Sequence, residues 1–176
     1  MIYTAEYSSP LGKMLLSARG DSLTGLWFEG QKYFPGGDYF KESAPGSGGA
    51  LADAAAWLDA YFSGQRPAPS ELRLSPDGSD FAKSVWRILC SIPYGGLCTY
   101  GEIAERLAAE TGRGSMSAQA VGGAVGHNPI SVIIPCHRVI GRDGSLTGYA
   151  GGLDRKRALL TLEGHDPERL GRTAQR

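Results

Sequence analysis

The chain has 176 residues, 41% of them hydrophobic, and no net formal charge. That is enough for one domain or two small ones with a real core, and no apolar run approaches the roughly 18 residues a membrane helix needs. Three cysteines, Cys90, Cys98 and Cys136, are an odd number that does not suit a secreted disulfide framework.

The opening "MIYTAEYSSPLG" has neither the basic segment nor the apolar run of a secretory signal, so a cytoplasmic location is expected. "MIYTAEY", "KMLLSA" and "LTGLWFEG" then read as short strands separated by the turns Ser8-Ser9-Pro10 and Gly20-Asp21. "FPGGDYFKESAPGSGG" is a loop by composition. "ALADAAAWLDAYFSG" is a helix, with Leu51, Ala55, Leu58 and Phe62 at three- and four-residue spacing and Gly64 closing it. "QRPAPSELRLSPDGS" reads as a linker holding a short strand, "ELRL".

Helices follow. "SDFAKSVWRILCSI" sets Phe81, Val85, Ile88 and Leu89 on one face, capped by Ser79 or Asp80, and "PYGG" breaks it. Thr99 with Glu102 three residues on is a capping box that starts "GEIAERLAAE". "TGRGSM" is a turn, and Ser117 begins a further helix, "SAQAVGGAVGHN". Helix, short turn and helix in this order resemble a helix-turn-helix unit, a weak signal on its own. Gly122, Gly123 and Gly126 lie inside the second helix, each costing about 1 kcal/mol relative to alanine. Tight internal packing is the ordinary explanation; contact with the segment that holds Cys136 and close approach to a nucleic-acid groove are the others.

"ISVIIPC" is β-branched and reads as a buried strand ending at Pro135. The loop "GRDGSLTGYAGG" follows, then a closing helix, "LDRKRALLTLEG", with Leu153, Leu159, Leu160 and Leu162 apolar. The tail "GHDPERLGRTAQR" is expected to fray. Between Arg113 and Arg157 six basic residues stand against Asp143 and Asp154, an excess that suits either a solvated surface or phosphate. A thiol needs a base to become a nucleophile, and a base needs an anion to orient it. His137 and Glu163 are the candidates beside Cys136. On residue types alone Cys136 reads equally as a nucleophile or as a buried inert thiol. The chain has no CxxC or tight Cys/His cluster, so no metal site is expected.

"IPCHRVIG", with "VGGAVGHNP" before it, "LTGYAGGLDRKRALLTLEG" after it and "IPYGGLCTYGEIA" upstream, resembles the active-site region of the O6-alkylguanine-DNA alkyltransferases over about residues 79–164. The resemblance implies an α/β fold. A small ribonuclease-H-like sheet-and-helix domain would span 1–75, and a mostly helical, winged helix-turn-helix-like domain 76–176. It implies single-turnover repair of double-stranded DNA containing O6-alkylguanine, by a monomer without cofactor or metal.

By the same resemblance Cys136 accepts the alkyl group, and His137, through a water, and Glu163 generate the thiolate. Asn128 braces the active-site turn, and Tyr100 donates to the guanine ring. The backbone of Cys136 and Val139 accepts from the exocyclic amine. Tyr149 and Ala150 sit on the loop against O6, and Lys156 lies near that loop. Ser117, Gln119, Ala120, Gly122 and Arg138 fall to the DNA surface. The chain departs from the family pattern twice. Gln119 stands where many members have an arginine that fills the gap left by the flipped nucleotide. Gly96 stands where a glutamate could pair with Arg138, which must therefore find another partner. A non-catalytic alkylguanine sensor and a Cys-His hydrolase are the alternatives; the sensor lacks the acceptor cysteine, and the hydrolase would need an oxyanion hole.

Overall fold

The computed structural model describes residues 1–40 and 43–170, and the chain divides into two compact units. The first comprises Met1–Asp77 with Pro129–Ile133, and the second Gly78–Asn128 with the chain from Ile134 onward.

In the first unit β1 (Ile2–Ser9), β2 (Gly12–Arg19) and β3 (Ser22–Phe28) form an antiparallel meander, registered Tyr7 to Met14 and Leu16 to Leu26. The turn Pro10-Leu11 leads into Gly12 (φ 120°) and the second turn holds Gly20 (φ 58°), both with backbone angles that suit glycine. β4 (Ser43–Pro45) adds to β1 in parallel, giving the order β3-β2-β1-β4. α1 (Ala50–Phe62) packs on the first three strands. Its buried stripe is Ala50, Leu51, Ala54, Trp57, Leu58 and Tyr61, so Ala54, Trp57 and Tyr61 carry the face that the spacing assigned in part to Ala55 and Phe62. The large rings decide the rotation of the helix: Trp57 stacks on Tyr61 and donates to the Ala68 carbonyl at 2.9 Å.

The loop read over 34–49 is partly built. Gly37–Phe40 is a turn of 3-10 helix, and Tyr39 and Phe40 meet the Trp27 ring edge-on with Phe34. Buried Ser17 and Thr24 satisfy each other at 2.9 Å, and Tyr39 reaches Ser17 at 3.1 Å. In the linker the strand pairing is one bridge, Leu74 beside Leu23, preceded by a 3-10 turn at Pro69–Glu71.

The second unit is built on α2 (Asp80–Cys90), α3 (Tyr100–Thr111) and α4 (Ala118–Gly126), which pack on one another. Ser79, Thr99 and Ser117 cap them, each side chain accepting from the amide three residues on. The Glu102 carboxylate closes the capping box on the Thr99 amide at 2.7 Å. Trp86 joins α2 to α4 by donating to the Ala124 carbonyl at 2.8 Å. β5 (Cys98–Thr99) pairs in parallel with β6 (Val139–Ile140). α5 (Leu153–Leu162) and a single turn, α6 (Pro167–Leu170), follow. The fraying expected of the tail is therefore not seen at Pro167–Leu170, and residues 171–176 lie outside the described residues.

The expected strand over "ISVIIPC" is absent. Ile130 makes one bridge to Leu26, residues 131–133 form a turn and residue 134 a bend, with Val132 at φ 70°. Ile130, Val132, Ile133 and Ile134 are all essentially inaccessible. The β-branched composition reports burial on every side, which packing here supplies without a ladder. A valine at positive φ is strained and persists only where its surroundings hold it.

Among the described residues no helix is long and apolar enough to cross a membrane.

Candidate active site

Cys136, His137 and Arg138 form one turn of 3-10 helix entered from Pro135. The turn is held from behind. The Cys136 amide donates to the Ile134 carbonyl at 2.8 Å, and the Asn128 side-chain amide donates to the same carbonyl at 2.8 Å. The Cys136 residue is only 6% exposed. Burial pushes its thiol pKa up; a hydrogen bond from Asn128 and the positive charge of Lys156 oppose that.

His137 is inaccessible, and its Nε2 lies 2.8 Å from Oε1 of buried Glu163, the C-cap residue of α5. Burial pulls the imidazole pKa down, partly offset by Glu163. Burial pushes the Glu163 carboxyl up, but hydrogen bonds from His137 and Arg138 outweigh it and hold the group well below the usual carboxylate range. The pair is thus a neutral imidazole beside a carboxylate.

Lys156 is fully buried on α5. Its ammonium donates to the carbonyls of Val139 at 2.6 Å, Thr147 at 3.1 Å and Gly148 at 3.4 Å, pinning β6 to the Gly-rich loop. Burial lowers its pKa to about 8. Tyr100, delivered by the pairing of β5 with β6, donates to the same Thr147 carbonyl at 3.1 Å. Tyr149 and Ala150 are half-buried on that loop, and the Tyr149 hydroxyl is buried with no hydrogen-bond partner among the described residues. The structure therefore brings Cys136, His137, Glu163, Asn128, Tyr100, Val139, Tyr149, Ala150 and Lys156 into one unit.

Residues 2–76 match the family model described as "6-O-methylguanine DNA methyltransferase, ribonuclease-like domain", and residues 80–165 match its "DNA binding domain". The chain is 40% identical to a methylated-DNA–protein-cysteine methyltransferase of Haemophilus influenzae, covering 92% of this chain and 86% of that one. It is 44% identical to the protein of the same name from Mycolicibacterium paratuberculosis, covering 97% and 98%.

The chain belongs to the methylated-DNA–protein-cysteine methyltransferase family.

Its structure is similar to the crystal structure of Mycobacterium tuberculosis OGT in complex with DNA (TM-score 0.79, 40% identity, 98% of this chain and 96% of that one).

Within this methyltransferase the helix expected at DNA is laid out for access. Ser117, Gln119 and Ala120 are exposed at the start of α4, and Gly122 is half-exposed. Among the described residues beyond its own helix backbone, a methyl group added at Gly122 would touch the Tyr100 ring, at 3.7 Å, while one at Gly123 or Gly126 would meet nothing within 4 Å. Tight internal packing is therefore not what keeps Gly123 and Gly126.

Arg138, expected at the DNA surface, is 5% exposed. Its Nε and Nη2 hold Glu163 at 2.8 Å each, and Nη1 donates to the Ile92 carbonyl at 2.6 Å. The partner that glycine at 96 does not supply is Glu163, the carboxylate already bonded to His137. Sequence reading had no signal for this, since the two residues lie 25 apart and only the fold joins α5 to the Cys136 turn. Sequence reading also missed the Thr147 and Ile92 carbonyls, because a backbone acceptor leaves no mark on residue type.

Among the described residues no group of three or more His, Cys, Asp or Glu is placed to hold a metal ion.

Proposed function

We propose that this protein repairs DNA by direct reversal, moving the alkyl group from O6 of guanine onto Cys136. The observation that carries the reading is the buried thiol of Cys136, followed in the chain by an imidazole 2.8 Å from a buried carboxylate, inside the segment that matches the family's DNA-binding domain.

In the reaction the Cys136 proton passes to His137 through a bridging water, and Glu163 stabilises the imidazolium. Sγ attacks the alkyl carbon, the carbon–O6 bond breaks, and its electron pair leaves with guanine. Tyr100 exchanges its bond to Thr147 for one to N3 and passes a proton to the departing guanine anion, its hydroxyl being restored by way of solvent from the proton that His137 took from Cys136, and the Ala150 amide donates to O6. Such donors lower the barrier for a poor leaving group. The backbone of Cys136 and Val139 accepts from the exocyclic amine. Tyr149 lies against the base, and Lys156 fixes the loop. The product is a thioether with no hydrolytic exit, so each molecule acts once.

A thiol this buried cannot reach a stacked base, so the nucleotide leaves the duplex, at a cost of a few kcal/mol. The exposed start of α4, with Ser117, Gln119, Ala120 and Gly122, enters the minor groove, and Gln119 stands in the gap left by the extruded base. The protein acts as a monomer in the cytoplasm, a compartment that suits its three free cysteines.

The test is intact-mass and peptide analysis after exposure to excess O6-benzylguanine or a methylated oligonucleotide. One adduct per molecule, on Cys136, is expected. Tight binding without mass gain would mark a sensor, and repeated turnover a hydrolase; either result overturns the proposal.

A further inference from the structure

Arg138 spends its whole guanidinium inside the protein. Nε lies 2.8 Å and 3.2 Å from the two Glu163 oxygens, Nη2 lies 2.8 Å from Oε1, and Nη1 holds the Ile92 carbonyl. The Tyr94 ring lies 5.8 Å from the guanidinium carbon. Stability alone is a weak reason for such a pair, because apolar residues of similar volume often serve a core as well or better. The shared atom is the informative feature: Oε1 of Glu163 accepts from both Arg138 and His137.

We infer that Arg138 is a positioning residue of the relay, which makes uptake of a proton by His137 conditional on ionisation of Cys136. This rests on the alkyl-transfer reading of the site.

The reasoning is charge balance. A carboxylate facing a buried imidazole alone would favour imidazolium in the resting protein, and an imidazolium is no base. Arg138 cancels the Glu163 charge. Lys156, from α5, adds another positive charge, with its donors already committed to carbonyls. A proton arriving on His137 from solvent would then add a further positive charge to a buried, already cationic group. A proton arriving from Cys136 leaves a thiolate behind and adds none. Titratable groups near the cluster include Cys90, Tyr149 and His165. Cys90 on α2 feels the Arg138 charge, and burial raises its thiol pKa to about 11. Tyr149, buried and raised well above the usual tyrosine range, stays neutral. His165 lies one step out, 2.9 Å from the Gly95 carbonyl, while the Gly95 amide reaches Glu163 at 3.4 Å. The direction for His137 agrees: burial lowers its pKa first, Glu163 raises it, and Arg138 and Lys156 lower it again.

The test is the pH dependence of single-turnover transfer from O6-benzylguanine for the unaltered protein, Arg138→Lys and Arg138→Met, with histidine nitrogen NMR to follow His137 directly. A neighbouring charge typically moves a pKa by about 1–3 units. The acid limb of the rate and the His137 titration should both move up by about one pH unit or more in Arg138→Met, and less far in Arg138→Lys. A lower rate with both unmoved would mean a merely structural role and overturn the inference. Should Arg138→Met fail to fold, Arg138→Lys and the NMR titration decide alone. If the unaltered protein forms no adduct, the alkyl-transfer reading falls, while the titration still reports whether Arg138 governs His137.

Discussion

Gly123→Ala separates what α4 needs for folding from what it needs for binding. Gly123 is a helix-interior residue, and a methyl group there would meet nothing within 4 Å. Alanine is about 1 kcal/mol better than glycine in a helix interior. With nothing to displace, that difference should appear almost whole as stability. For a chain of this size it corresponds to a midpoint shift of about 2–4 °C, or about 0.5 M urea at a denaturant slope near 2 kcal/mol/M. Gly122→Ala should gain a similar amount, since its new methyl would sit at ordinary contact distance from the Tyr100 ring. Duplex binding should move the other way. If the glycine face lies against the groove, the same methyl lands in a packed contact, and overfilling such a contact costs about 1–3 kcal/mol. Affinity for a short duplex, measured by fluorescence anisotropy, should fall at least about fivefold, which is about 1 kcal/mol. A variant no more stable than the parent would refute the packing argument. A more stable variant with unchanged affinity would remove α4 from the groove.

Glu163→Gln should cost about 3–5 kcal/mol in urea unfolding, because it leaves the Arg138 guanidinium buried without its counter-charge; the double change with Arg138→Met should cost less than the two single changes summed, and strict additivity would deny the coupling. Gln119→Arg should tighten duplex binding and steepen its salt dependence by about one unit of slope, read from affinities at several salt concentrations; an unchanged or weaker affinity would count against residue 119 standing in the gap. The unaltered protein should lose stability as pH falls below 6.5, the ordinary histidine value. Burial depresses the folded-state pKa of His137, so the unfolded chain takes up its proton first, and the contribution held above 6.5 is lost below it. His137→Gln should flatten that segment of the stability profile, and an unaltered slope would assign it to another group.

Local chemistry was legible where it is complete within a few residues. The capping box at Thr99 and Glu102, the caps at Ser79 and Ser117 and the turn at Gly20-Asp21 each need only neighbours in sequence, and each formed where the residues said, while the first hairpin turns two residues later than read, at Pro10-Leu11, because Ser8 and Ser9 stay in β1 paired with Lys13 and Gly12. Pairings between distant short segments were not. β5 and β6 contribute two residues each, too few for a period, yet their pairing delivers Tyr100 to the loop at Thr147. "ISVIIPC" misled because β-branched residues mark burial as readily as strand, and here they fill turns. Arg138 misled for a related reason. Arginine is ordinarily a surface residue, and only a buried carboxylate from a remote helix reverses that expectation.

The charge arrangement also explains how an irreversible acceptor avoids being used up by stray electrophiles. Thiol reactivity follows the thiolate, and a permanently ionised cysteine would react with whatever reached it. Cys136 is buried and its pKa is raised, so at rest it is a protonated thiol. The local cation, Lys156, is committed to three carbonyls, and burial has weakened its own hold on a proton. In the proposed relay ionisation therefore depends on His137, whose Glu163 partner is also held by Arg138. In the proposed reaction an extruded purine would complete the circuit from the other side: it would close the pocket to water and occupy the donors of Tyr100 and the loop amide as negative charge leaves the sulfur. Proton transfer and alkyl transfer then become favourable together, in the one complex where the product is wanted. On this account the low reactivity of the free thiol is a property of the same residues that activate it, and probing the free protein with iodoacetamide should find Cys136 slower than a thiol of ordinary pKa.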